Sequence, residues 1–99
     1  MKALPGLVRE FSGQLMSQMQ KSITVQYYAI LRDESGVKSE VVETSVETAG
    51  QLYTELAAKH NFSIDSGRLA VAINDQLSSL GSQLNSEDVV VFLPPVAGG

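Results

Sequence analysis

The stretch "DVVVFLPP", Asp88 to Pro95, constrains the fold of this chain most. Val89 through Leu93 form a β-branched and aromatic run with no polar residue. Such a run reads as a strand, and its continuous apolarity fits a central strand covered on both faces. Pro94 and Pro95 end it, because neither can donate a ladder hydrogen bond. A chain whose last strand is central must bring earlier strands to both of its sides.

The earlier elements supply them. Residues 23–31, "ITVQYYAIL", alternate. Ile23, Val25, Tyr27 and Ala29 are expected to face a core, and Thr24, Gln26 and Tyr28 the other side. Tyr28 is thus an aromatic on an outer face. Asp33-Glu34-Ser35-Gly36 is a turn cluster. Residues 38–46, "KSEVVETSV", alternate again and complete a hairpin.

Thr48 followed by Gln51 is a capping-box pattern. Ala49, Leu52, Tyr53, Leu56 and Ala57 then trace one apolar face of a helix. Lys59 and His60 fall at its C-terminal end, where cations suit the helix dipole. "RLAVAIN", Arg68 to Asn74, reads as a strand buried on both faces. Residues 76–88 are polar and turn-rich, with Leu77, Leu80 and Leu84 as spaced anchors.

The order is β-β-α-β-loop-β. The first and last strands can pair in parallel with the helix crossing one face of a mixed sheet. The expected class is α+β, a β-grasp (ubiquitin-like) architecture. Three segments follow: an extension over 1–22, the β-grasp domain over 23–93, and an extended tail over 94–99. Within the extension, Leu4, Leu7, Val8, Phe11, Leu15, Met16 and Met19 form one helical stripe. Gly6 and Gly13 weaken that helix by roughly 1 kcal/mol each relative to alanine, so it needs something to pack on. It is either a fraying arm, a contact for a partner or second copy, or a targeting arm.

Composition removes several function classes. The 99 residues carry a net charge of −4. Residues 1–22 hold Lys2, Arg9 and Lys21 against Glu10, whereas residues 23–99 hold four basic and ten acidic residues. An acidic domain repels phosphate backbones, so nucleic acid is not an expected partner, and a basic protein surface suits it better. There is no cysteine and one histidine. Disulfides, thiolate metal sites, cysteine nucleophiles and multi-histidine metal sites are therefore excluded. No apolar run reaches the roughly 18–20 residues of a membrane span, and no export signal is evident. A cytoplasmic location is expected. Asn61-Phe62-Ser63 matches a glycosylation sequon and is read as chance in a chain without an export signal.

No internal catalyst is legible. The serine-hydrolase, phosphate-loop and zinc-protease motifs are missing. Glu40, Glu43 and Glu47 are spaced as solvated surface residues. What remains is the end of the chain, "FLPPVAGG". Pro94 and Pro95 hold their segment extended, and Gly98 and Gly99 can thread a narrow channel because they lack side chains. A C-terminal carboxylate is the reactive group at such a tip. The plain alternative is a disordered end or a cloning scar.

This ending resembles that of the small subunit of molybdopterin synthase, a ubiquitin-like sulfur-carrier family. The resemblance runs through "LAVAINDQLSSLGSQLNSEDVVVFLPPVAGG", and also covers "VQYYAILRDESG" and "TAGQLYTELAAKH". It implies that an activating enzyme uses ATP to adenylate Gly99, which binds no cofactor of its own. A sulfur donor then converts it to a thiocarboxylate. The tail, Pro94, Pro95, Val96, Ala97 and Gly98, would insert into the large synthase subunit. Gly99 would give sulfur to cyclic pyranopterin monophosphate to build the dithiolene of molybdopterin. The implied assembly is a heterotetramer of two small and two large subunits. The implied docking surface uses Tyr28, Leu77 and Leu93, with Arg32 either pairing with the partner or capping its turn. Residues 1–22 have no counterpart in the family. Related carriers for thiamine synthesis or tRNA thiolation, and protein modifiers, share the fold and the glycines. A β-grasp binding module with incidental glycines is the reading from another class.

Overall fold

A computed structural model describes residues 20–95 of the chain. The expected helix over 4–19 and the tail residues Val96, Ala97, Gly98 and Gly99 lie outside the described residues. The elements are β1 (Lys21–Tyr27), α1 (Ile30–Ser35), β2 (Ser39–Thr44), α2 (Ala49–His60), a 3-10 turn (Ser66–Arg68), β3 (Ala70–Ile73), β4 (Gln76–Ser78) and β5 (Val89–Leu93). They form one mixed sheet in the order β2-β1-β5-β3-β4. β1 and β5 run parallel, with Val25 opposite Val90 and Tyr27 opposite Phe92. The other pairs are antiparallel. The last strand is therefore central, as the apolar run requires, and the α+β β-grasp arrangement is present.

Helix α2 covers one face of this sheet. Ala49, Leu52, Tyr53 and Leu56 are its buried positions. They pack on Ile23, Val25 and Tyr27 of β1, Val71 of β3, and Val90 and Phe92 of β5. Tyr53 stands edge-on to Phe92 at 5.2 Å between ring centres and stacks on Phe62 at 5.6 Å. Such pairs add to the burial of their area.

The ends of α2 are chemically specified. Thr48 accepts a hydrogen bond from the Gln51 amide, and the Gln51 side chain accepts from the Thr48 amide, closing the capping box. The next two amides, of Ala49 and Gly50, donate to the carbonyls of Ser82 and Leu80. The loop before β5 thus satisfies donors that the first helical turn cannot. Asn61 ends the helix in the left-handed conformation, with φ of 58°. That is a structural use for the first residue of the sequon.

Several expectations need correction. β1 stops at Tyr27. Ala29 is exposed, with φ of 53°, and the chain turns into α1 there. Tyr27 and Leu31 are both buried. Four residues apart, they satisfy the strand period and the helix period equally, so alternation could not show the break. The expected turn cluster is the end of α1, closed by Gly36 in the left-handed region at φ of 79°.

Residues 76–78 form the edge strand β4 rather than loop. Leu84 is buried and Leu80 packs on the core, but Leu77 is no anchor: it is 80% exposed. Neither β3 nor β5 is buried on both faces. Val90 and Phe92 are fully buried, whereas Val89 and Val91 are half-buried and Leu93 is exposed. Ala70 is exposed and Ala72 half-buried. Among the described residues, one long helix covers one face and nothing comparable covers the other.

Glu40 is also not a solvated surface carboxylate. It is half-buried, and its oxygens accept from Lys59 Nζ at 2.8 Å, His60 Nε2 at 2.7 Å and the Tyr27 hydroxyl at 2.5 Å. Sequence spacing could not reveal this, because the partners lie on β1 and on the last turn of α2.

Candidate functional site

Two features meet at one edge of the sheet. Because β1 and β5 are parallel, their C-terminal ends lie together. Leu93 ends β5, and Pro94 and Pro95 continue from it, the first half-buried and the second exposed. Tyr28 follows the end of β1 and is 49% exposed. The C-terminal segment therefore leaves from the middle of the sheet, beside an exposed aromatic.

The start of β5 is fixed by a small polar lock. Asp88 is buried. One of its carboxylate oxygens accepts from Asn74 Nδ2 at 2.9 Å and the other from the Asn85 amide at 2.8 Å. The Asn74 side-chain oxygen accepts from the Val89 amide at 2.9 Å. Buried polar groups satisfied in this way hold one register. They fix where β5 begins and so where Leu93 and the prolines emerge.

The open sheet face is built by register. Gln26, Val91, Ala72 and Leu77 lie in one row across β1, β5, β3 and β4. Val41, Thr24 and Val89 form a second row across β2, β1 and β5. Leu93 and Ala70 are paired nearest the tail. Val41 is 63% exposed and Leu93 37%. With Leu77 at 80%, the open face thus carries exposed apolar side chains from β2, β4 and β5.

The residues named from the sequence fall as follows. Leu77 and Leu93 share the open face, with β3 between their strands. Tyr28 adjoins it at the tail edge. Arg32 is on α1, and it lines a shallow pocket with Gln26, Tyr27, Tyr28, Lys38 and Ser39. Two cations and an exposed tyrosine thus lie together at the C-terminal end of β1, the strand next to β5, on a domain that is acidic in sum. Pro94 and Pro95 follow the end of β5. Val41 and Val91 were missed. The signal for Val91 was available in the period of two, since Val90 and Phe92 face the core and so force Val89, Val91 and Leu93 to the opposite side.

Among the described residues no internal acid–base or nucleophilic centre emerges. The closest cluster is Tyr27, Glu40, Lys59 and His60. Partial burial opposes the charge on Glu40, but hydrogen bonds from Lys59, Tyr27 and His60 and the charge of Lys59 outweigh it. They hold the carboxyl at about 2. Burial first, then the bond to Glu40 and its charge, raises the Tyr27 hydroxyl above its ordinary value. Both groups are locked in the protonation state they already have at neutral pH, which suits a structural tie rather than proton transfer. Among the described residues there is no group of three metal-ligating side chains.

A β-grasp domain that projects its C-terminal segment from a central strand, beside an open apolar face, belongs to the ubiquitin-like class. Residues 25–99 match the ThiS family model, and the chain belongs to the ThiS family. It is 34% identical over 80 residues to the molybdopterin synthase sulfur carrier subunit of Haemophilus influenzae, covering 78% of this chain and 99% of that protein. The solution structure of the Haloferax volcanii HVO 2177 protein superposes with a TM-score of 0.69 at 24% identity. It covers 81% of this chain and 88% of its own. The complex of subunits 1 and 2 of molybdopterin-converting factor from Helicobacter pylori contains a chain 28% identical to this one. That match has a TM-score of 0.51 and covers 79% of this chain and 99% of the other.

Proposed function

We propose that this protein is the sulfur carrier subunit of a molybdopterin synthase. The observation that carries the reading is the exit geometry: β5 is the central strand, and Pro94 and Pro95 continue from its end at Leu93, with "VAGG" following them in the sequence. Family membership, and the 34% identity to a protein of that name, support the same reading.

In this reading the carboxylate of Gly99 is the working group. An activating enzyme joins it to AMP from ATP, releasing pyrophosphate and making the carbonyl carbon an electrophile. A donor of sulfide-level sulfur then displaces AMP and leaves a thiocarboxylate. The carrier delivers that sulfur to cyclic pyranopterin monophosphate, and two deliveries complete the dithiolene. The body supplies binding and orientation. The large subunit docks on Tyr28, Leu93 and Leu77, with Arg32 at the rim, and receives residues 94–99 in its active site. Two carriers on two large subunits make the heterotetramer. In this reading the carrier works in the cytoplasm. Among the described residues no helix is long and apolar enough to cross a membrane.

The test is intact-mass analysis after incubation with the cognate activating enzyme, ATP and a sulfur donor. The expected product is heavier by the difference between one sulfur and one oxygen. The thiocarboxylated chain, mixed with the large subunit and the pyranopterin precursor, is expected to form molybdopterin. Thiocarboxylation without molybdopterin formation would move the protein to another branch of the carriers, and no mass change would remove it from the carriers altogether.

A further inference from the structure

We propose that the outer edge of β2 is a docking site for an extended basic segment of another protein, which pairs with it as a further strand of the sheet. β2 has a neighbour on one side only. The Tyr27 amide donates to the Lys38 carbonyl at 2.8 Å, and the pairing with β1 continues in the same register to Thr44. In an antiparallel pair, alternate residues turn both of their backbone groups toward the neighbouring strand. Lys38, Glu40, Val42 and Thr44 therefore face β1. Ser39, Val41 and Glu43 turn three amides and three carbonyls away from the sheet. Such an edge is a template for another strand, and folded domains commonly blunt it with a bulge, a proline or a very short strand. β2 has six residues, no proline and no break in its register. The opposite edge, β4, has three residues.

The edge also has a flank that selects side chains. A groove between β2 and α2 is lined by Val41, Val42, Glu43, Glu55, Leu56 and Lys59. An added strand lies about 4.8 Å from β2, and its side chains alternate between the groove and the open face. Main-chain bonds supply affinity in this mode, and the alternate side chains supply selectivity. The residue opposite Val42 points to the groove side, where an apolar side chain meets Val42 and Leu56. The residue opposite Glu43 points to the open face beside that carboxylate. Charge sets the kind of partner. Glu43 and Glu55 are exposed, whereas Lys59, the cation of the groove, is held by Glu40 at 2.8 Å. A second copy would bring two acidic edges together, on domains that each hold five basic and ten acidic residues over 20–95. A segment alternating apolar and basic residues satisfies the backbone, the groove and the carboxylates together. β1 separates this edge from β5 and the prolines that follow it, so the inference does not rest on the carrier reading.

The test is amide hydrogen exchange, read by NMR on the full-length chain with a blocked peptide of alternating valine and lysine at millimolar concentration. In the free chain the amides of Ser39, Val41 and Glu43 are expected to exchange fast, and those of Glu40 and Val42 slowly. The peptide is expected to slow the first three by about tenfold or more. The same peptide with glutamate for lysine is expected to leave them fast. Val41→Pro removes the central donor at an edge position, where a strand tolerates proline, and is expected to abolish the slowing while Glu40 stays protected. Glu43→Lys, which leaves the backbone intact, is expected to weaken the lysine peptide about threefold or more and to favour the glutamate peptide. No slowing by the lysine peptide overturns the inference, and so does equal slowing by the two peptides. Slowing that grows with protein concentration in the absence of peptide assigns the edge to a second copy and overturns it as well. No large subunit or activating enzyme is used, so failure here leaves the carrier reading untouched.

Discussion

Glu40 on β2 accepts a hydrogen bond from His60 Nε2 at 2.7 Å and so ties an outer strand to the last turn of α2. The same carboxylate oxygen accepts from Tyr27, whose ring stands edge-on to His60 at 5.8 Å. The cluster clamps the C-terminal end of the helix over the hairpin.

This clamp sets an acid limit. The Glu40 carboxyl titrates at about 2 in the fold, against an ordinary value of 4.5. A depressed carboxylate contributes stability that is complete above its unfolded value and is lost as pH falls toward its folded value. The chain is expected to lose about 1–3 kcal/mol between pH 5 and pH 2 from this group alone. Urea unfolding across that range is expected to show the loss in the parent and a flatter profile in Glu40→Gln. Equal slopes in the two proteins would show that the clamp does not contribute.

Gly50→Ala reverses a familiar sign. In an open helix the change stabilises by about 1 kcal/mol. Here a Cβ on Gly50 would stand 3.1 Å from the Leu80 carbonyl oxygen. That oxygen already accepts from the Gly50 amide at 2.7 Å, so it cannot retreat without losing the bond. The variant is expected to be destabilised by about 1 kcal/mol, read as a lower urea midpoint with an unchanged slope.

Tyr28→Ala separates binding from folding. The side chain is half exposed and no shift in packing is expected, so stability should change by less than about 0.5 kcal/mol. As an aromatic anchor at the tail edge, its loss is expected to weaken binding of the large subunit by about tenfold or more, measured by calorimetry. Unchanged affinity would remove Tyr28 from the docking surface.

Deletion of Gly99 bears on the tail. The proposed chemistry requires its carboxylate, so thiocarboxylation and molybdopterin formation are expected to cease. The melting temperature is expected to stay constant. A marked fall would give the tail a structural role instead.

Much of this was legible in the residues themselves. Thr48 and Gln51 announce the helix, because a capping box is a local contract between a side chain and the amides next to it. Val89 to Leu93 and the following prolines announce a last strand and its end, and its central place holds, although Val89, Val91 and Leu93 lie on the open face rather than under a second layer. The rest depended on partners distant in sequence. The end of β1 at Tyr27 was hidden because Tyr27 and Leu31 suit both periods. The open face was hidden because Val41, Leu77 and Val91 become one surface only through the registers of β2, β1, β5, β3 and β4. Glu40 looked like any surface carboxylate until folding brought Tyr27, Lys59 and His60 around it. Local hydrogen bonding and hydrophobic period are written within a few residues, whereas a shared face or a shared proton acceptor exists only after strands pair and the helix docks.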